Sequence, residues 1–240
     1  SGVDAVVFEG GTISVTDINV TLENIFSILS AGASPGKLLI KGDYIQAQTA
    51  TLNVEIEGIV FDDNSEIYEY DRLVITPNES LNQNGDVTLN GGLKIESIYT
   101  INTDDEFIIL TWNGQLNGAF DKIVTPALAG DQDWYFGLLY SLGKIIVVNN
   151  DTPIIDRSGR NYSVSEDEKL LLRQGDLDTQ LVSTDENGYE IVSYEIVSTQ
   201  NGVVTLNGTI MHYKPSLNYN GLDTVLYRFT NKYGYVSDVQ

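Results

Sequence analysis

His212, in the stretch MHYKP, is the only imidazole in 240 residues. A general base needs a positioned partner within hydrogen-bond reach. His212 alternates with Met211 and Tyr213 as a strand residue does, so it reads as an ordinary sheet position. The H-E-x-x-H and phosphate-binding glycine patterns are absent. The chain has no cysteine, which excludes thiolate catalysis, disulfides, Fe–S clusters and thiolate zinc sites. Carboxylates remain, with close groupings at Asp62–Asp63, Asp104–Asp105–Glu106 and Asp131/Asp133. Two carboxyls that cleave a glycosidic bond must face one cleft about 5–9.5 Å apart. Adjacent acids on a strand point to opposite faces, and loop acids are ordinarily just solvated. Asp131 and Asp133 adjoin Trp134 and Tyr135, a pattern that fits a sugar platform but is explained more simply by aromatics covering a core. No catalytic residue is expected, and no enzyme.

Charge narrows the partners further. The chain carries 34 acidic and 13 basic residues, a formal net of −21. That field repels nucleic acid and anionic membrane surfaces, and it favours solubility and divalent cations. No apolar run approaches the roughly 18 residues of a membrane span, so direct membrane insertion is not expected. A hydrophobic fraction of 42% is that of a folded chain. Ser1–Gly2 has the form of a cleavage scar, and Gln240 falls inside or just before an expected final strand. The sequence therefore reads as part of a larger polypeptide.

The elements that must position these residues are nearly all strands. Alternation is plain in KLLIKGDYIQAQ, TLNVEIEG, RLVIT, DVTLNGGLKIES and EFIILTW, separated by Gly, Asn and Asp clusters. KIIVVNN, residues 144–150, reads as a strand buried on both faces. One stretch, Thr21–Gly32, reads as a short helix or as a buried strand pair. The helix is preferred, with Thr21 as N-cap, Gly32 as stop, and Leu22, Ile25, Phe26 and Leu29 as its apolar face. The polar, Pro-bearing NNDTPIIDRSG has the composition of a linker, so the boundary is placed near Asn150, giving units 1–150 and 151–240. Twenty-one acidic and 6 basic residues precede it, and 13 and 7 follow. Beyond it, seven short strands in about 90 residues suggest an antiparallel β-sandwich. The pentapeptide VTLNG occurs once on each side, at Val87–Gly91 and Val204–Gly208. Their flanks share only turn chemistry, so each is a strand, an Asn-Gly turn or corner, and a strand, and the two are not copies of one module.

Two resemblances add to this reading. SEDE at Ser165–Glu168, then Tyr213, Pro215, Tyr219, Gly221, Asp223, Tyr227, Phe229 and Gly234 in order, resemble the cadherin-like, Ig-like tandem modules of large bacterial surface proteins. This likeness covers roughly residues 151–240. Gly36–Gln46, Leu52–Ile56, Tyr70–Ile75 and Leu89–Gly91 resemble the C-terminal rungs of parallel β-helices in autotransporter-type surface passengers, over about residues 36–148. The residues alone give only a β-rich unit there, because the strand spacing keeps no clean period. The acidic insert Phe61–Asp71 departs from the pattern, and no translocator barrel follows.

Taken together, the resemblances imply an all-β chain. Its N-terminal part would be a parallel β-solenoid end, capped by Asp131–Tyr140 through Trp134 and Phe136. A seven-stranded antiparallel Ig/cadherin-like β-sandwich would follow. The second resemblance also implies Ca²⁺ as the one cofactor, with Glu166, Asp167, Asp185, Asp223 and Asp151 as ligands and Asn149 and Asn150 contributing from the linker. Asn231 stands where many such modules have Asp, which removes one charged ligand. The implied role is a non-enzymatic structural or adhesive piece of a secreted or cell-surface bacterial protein, with a surface glycan or protein as ligand. The alternatives are the non-catalytic end of a polysaccharide-degrading surface enzyme, or a folding cap for an upstream solenoid.

Overall fold

The structure, a computed structural model, describes residues 5–9, 12–13, 15–31, 35–153, 170–173, 184–207 and 210–239. The chain divides into two compact units, Ser1–Val148 and Asn149–Gln240.

In the first unit the chain visits three parallel sheets in a fixed rotation. It opens with β1 (Ala5–Phe8) and β2 (Thr12–Ile13), and the next turn is β3 (Asp17–Ile18), β4 (Thr21–Asn24) and β5 (Ile28–Ser30). A further turn is β6 (Lys37–Lys41), β7 (Tyr44–Gln46) and β8 (Thr51–Asp62), which folds back on β9 (Ile67–Tyr70). Next come β10 (Arg72–Thr76), β11 (Val87–Leu89) and β12 (Gly92–Ser97). After β13 (Glu106–Ile108) the rotation resumes with β14 (Leu110–Trp112), β15 (Leu116–Gly118) and β16 (Lys122–Val124). The sheets run β14-β10-β6-β3, β1-β4-β7-β11-β15 and β16-β12-β8-β5-β2, with β9 beside β8.

Side-chain alternation puts apolar residues in columns. Ile18, Ile40, Ile75 and Trp112 lie in register, as do Leu38, Leu73 and Leu110. Leu22, Tyr44, Val87 and Leu116 form the matching column of the second sheet, and Leu29, Leu52, Leu93 and Ile123 that of the third. These columns belong to one buried core. Each fully buried Leu or Ile in it contributes about 1.5–3 kcal/mol.

The register explains why no period is legible. Leu22 lies opposite Tyr44 and Ile28 opposite Thr51, offsets of 22 and 23 residues. One turn later Tyr44 lies opposite Val87, an offset of 43. The extra length lies in the β8–β9 hairpin and in a loop with a 3-10 turn at Glu79–Leu81, and neither disturbs the stacked strands.

Thr21–Gly32 corrects the helix expectation. Thr21–Asn24 and Ile28–Ser30 are strands β4 and β5, and Gly32 lies outside the described residues. Leu22 and Leu29 are buried, but Phe26 is 61% exposed, so the helical face does not exist. Parallel pairing of β4 with β7 and of β5 with β8 outweighs the local propensity.

Carboxylates hold successive turns together. The Asp71 carboxylate accepts the Gly36 amide at 2.7 Å and the Glu55 amide at 3.0 Å. Asp43 accepts the Gly85 and Asp86 amides at 3.0 and 2.9 Å, Asp86 accepts that of Gln115 at 2.7 Å, and Asp121 that of Gly91 at 2.9 Å. Corner amides have no ladder partner, and a carboxylate satisfies them strongly. Part of the net negative charge is therefore structural.

The C-terminal part of this unit adds a sheet ordered β13-β18-β17, from β17 (Gln132–Tyr135) and β18 (Lys144–Asn149), with the short helix α1 (Leu139–Leu142) between them. Ile145, Ile146, Val147 and Val148 are all buried, as a strand covered on both faces requires. Gly143 ends α1 at φ 65°, and a Cβ there would lie 1.7 Å from the Leu110 carbonyl oxygen, so only glycine fits.

The second unit is antiparallel. Its described strands are β19 (Leu170–Arg173), β20 (Ile191–Thr199), β21 (Gly202–Asn207), β22 (Ile210–Pro215) and β23 (Val225–Asn231). They form the sheets β19-β22-β21 and β20-β23. Met211, Tyr227, Phe229 and Ile191 form the core. Of the seven strands expected, NYSVS lies outside the described residues, and GYVSDVQ contributes a single bridge between Thr230 and Val236.

Candidate functional site

Asp223 follows the loop Ser216–Leu222 and reaches back to the turn between β20 and β21. Its carboxylate accepts from the Thr199 hydroxyl at 3.1 Å, the Asn201 amide at 2.9 Å, the Gln200 amide at 3.3 Å and its neighbour Thr224 at 2.8 Å. The Tyr213 hydroxyl, from β22, donates to it at 2.7 Å. Burial raises the Asp223 carboxyl, but the bonds from Tyr213, Thr224, Asn201 and Thr199 outweigh it and hold the group below the usual carboxylate range. Burial and the bond to Asp223 push Tyr213 up to about 12. The turn amides at Gln200 and Asn201 have no signal in the sequence, because they lie 23 and 22 residues before Asp223.

Asp185 starts a second node. One carboxylate oxygen accepts the Asn187 and Tyr189 amides, both at 3.0 Å, within the DENG turn. The other accepts the side-chain amide of Asn231 at 2.9 Å, and Asn231 in turn accepts the Tyr233 and Tyr235 amides at 3.0 and 3.1 Å. Both residues are buried, so this is a dry clasp between two turns 46 residues apart. At position 231 the amide supplies the positive hydrogen that a second carboxylate would lack.

The expected calcium ligands fall in several places. Asp185 and Asp223 serve separate nodes, and their oxygens are taken by N–H and O–H donors. Asp151 donates its backbone amide to Asn149, whose own backbone amide reaches the Tyr189 hydroxyl at 3.0 Å. Glu166 and Asp167 lie outside the described residues. Among the described residues no group of three or more His, Asp or Glu side chains could hold a metal ion.

In the carboxylate groupings Asp62, Asp63, Asp105, Glu106 and Asp133 all have hydrogen-bond or ion-pair partners. Asp62 accepts from Asn64 and Ser65 in the β8–β9 turn, while Asp63 pairs with Lys37 at 2.6 Å. The hydrogen bond from Lys37 lowers Asp63, and the same bond raises Lys37. Above that turn Arg72 lies 3.6 Å from the Phe61 ring centre and donates to the Tyr70 hydroxyl at 2.8 Å. Glu106 pairs with Lys144 at 2.7 Å, and Asp105 accepts the Asn102 amide. Asp133 accepts the Trp134 amide. Trp134 is not a platform for sugar: it is buried 6.2 Å from Phe107, with its indole N–H on the Pro126 carbonyl. His212 sits on β22 opposite Leu171 and Thr205, with its Nδ1 buried and without a hydrogen-bond partner.

Residues 150–240 match the family model of the bacterial Ig domain. The two antiparallel sheets of the Ig-like segment, with the Asp185 and Asp223 nodes built into its turns, are the structure over that stretch. No curated protein and no solved structure matches the chain. Among the described residues no helix is long and apolar enough to cross a membrane.

Proposed function

We propose that the chain is a non-enzymatic structural module of a secreted or cell-surface bacterial protein. In this reading a parallel β-solenoid is followed by a seven-stranded Ig-like sandwich that acts as spacer or adhesive stalk. The match of residues 150–240 to the bacterial Ig domain carries the proposal. It is supported by the rotation of the first unit through three parallel sheets, with inward columns and inserts confined to loops. Such a stack is a quasi-one-dimensional rod in which each turn rests on its neighbours. Asp43, Asp71, Asp86, Asp121, Asp185 and Asp223 are engaged in holding turns, which supports a scaffold role. A surface glycan or protein is the ligand class such a rod would present itself to.

The test is a turnover screen of the purified chain on polysaccharides, alongside surface fractionation in a producing bacterium. No turnover with surface recovery is expected. Hydrolysis abolished by removing two neighbouring carboxylates would overturn the proposal.

A further inference from the structure

We propose that Asn220 is the first site of spontaneous deamidation in this chain, through attack by the backbone nitrogen of Gly221. The sequence holds eight Asn-Gly pairs, at Asn84, Asn90, Asn113, Asn117, Asn187, Asn201, Asn207 and Asn220. Asn-Gly is the dipeptide in which this ring closure meets least steric hindrance, because glycine has no Cβ and leaves its backbone free to turn. Sequence alone cannot rank the eight. The structure ranks seven of them, since Gly208 lies outside the described residues.

Ring closure needs the glycine amide free to leave its place and approach the asparagine Cγ. Four glycine amides are already held: Gly85 by the Asp43 carboxylate, Gly91 by Asp121, Gly114 by the Gly85 carbonyl and Gly188 by the Asp185 carbonyl. Gly118 and Gly202 lie within strands β15 and β21. Gly221 differs on both counts. It lies outside any strand, both it and Asn220 are exposed, and its amide has no hydrogen-bond acceptor among the described residues. The nearby Tyr219 hydroxyl is turned to the Leu222 carbonyl at 2.6 Å and leaves the Gly221 nitrogen alone.

The reaction balances with water as the only co-reactant. Hydroxide removes the Gly221 amide proton, and the nitrogen attacks the Asn220 side-chain carbonyl. Ammonia departs to leave a five-membered succinimide. Water then opens either carbonyl of the ring, giving aspartate or isoaspartate and a mass gain of about 1 Da. Each event adds one negative charge three residues before Asp223. The isoaspartyl product also lengthens the main chain by one methylene within the loop that Asp223 anchors.

The experiment incubates the full chain at about pH 8.5 and 37 °C, native and in urea, and follows each Asn-Gly pair by peptide mass spectrometry. In urea the pairs should convert at similar rates. In the native chain Asn220 should keep a rate close to its unfolded one. The six other ranked pairs should slow by about tenfold or more, because either a hydrogen-bonded glycine amide or a strand backbone must first be released by local opening. Asn220→Gln should remove the early mass gain, since glutamine would have to close a six-membered ring. Earlier native conversion at any of those six, or protection of Asn220 equal to theirs, overturns the proposal.

Discussion

Replacing Asn231 by aspartate changes one buried N–H donor into an oxygen and little else. In the native chain the Asn231 amide lies 2.9 Å from the Asp185 carboxylate, and the two residues are 1% and 5% exposed. Asn231→Asp keeps an acceptor for the Tyr233 and Tyr235 amides and sets two carboxylates face to face. Two unit charges about 4 Å apart repel by about 4 kcal/mol at an effective dielectric of about 20. The pair can avoid this by holding one proton. Keeping that proton at pH 7 on a carboxyl whose unfolded pKa is about 3.9 costs about 4 kcal/mol, and the new O–H···O⁻ bond returns about 1.5–3 kcal/mol. The net loss is about 2 kcal/mol at neutral pH. With a urea slope of about 1–2 kcal/mol/M for a small unit, the midpoint should fall by about 1–2 M. The sign with pH follows from the raised folded pKa of the pair. Below about pH 4 the unfolded chain is protonated as well, so the deficit vanishes there and grows as pH rises toward 7. The assay is urea unfolding at pH 4 and pH 7, followed by far-UV circular dichroism and by tryptophan fluorescence. Both tryptophans, Trp112 and Trp134, lie in the first unit, so fluorescence reports that unit and should not move. A variant as stable as the parent at pH 7, or a deficit independent of pH, would refute the reasoning.

The other nodes give further expectations. Asp43→Ala strips the acceptor from the Gly85 and Asp86 amides and should cost the first unit about 2 kcal/mol, read as a lower urea midpoint by tryptophan fluorescence. Asp223 has a lowered folded pKa, so its contribution is present above the unfolded value of about 3.9 and is lost as pH falls through the lower folded one. Asp223→Asn should therefore flatten the acid unfolding of the second unit below about pH 4. The loss should be the same in millimolar Ca²⁺ and in chelator, and a difference would make Asp223 a metal ligand. Trp134→Ala should cost the first unit about 3–5 kcal/mol, because it opens a cavity beside Phe107; Trp112 remains as reporter.

Much of this was legible from residue pattern. Leu38/Ile40, Leu73/Ile75 and Val87/Leu89 alternate as half-buried strands must, and each pair is inward. What was not legible depends on separation along the chain. Thr21–Ser30 carries a helical spacing that only neighbouring strands overrule. The Asp43, Asp71 and Asp121 brackets act on amides 16 to 43 residues away. In sequence they are indistinguishable from solvated acids.

The two copies of VTLNG mark the division between the two kinds of information. In both, the sequence by itself determined a strand, because Val and Leu alternate with polar residues and Asn-Gly supplies a chain reversal. Only the tertiary structure decided which reversal. At Val87–Gly91 the strand β11 and its successor β12 belong to different sheets, each pairing in parallel with turns before and after, so the Asn90–Gly91 step is a corner. Gly91 sits there at φ 62° with its amide on Asp121, and a Cβ would meet the Ala50 carbonyl oxygen at 2.4 Å. After Val204–Asn207 the strand β22 returns antiparallel along β21 in the same sheet, as in a hairpin. Five residues carry the local propensity, but the choice of partner strand depends on surfaces tens of residues away, and the burial gained there decides the direction of the chain.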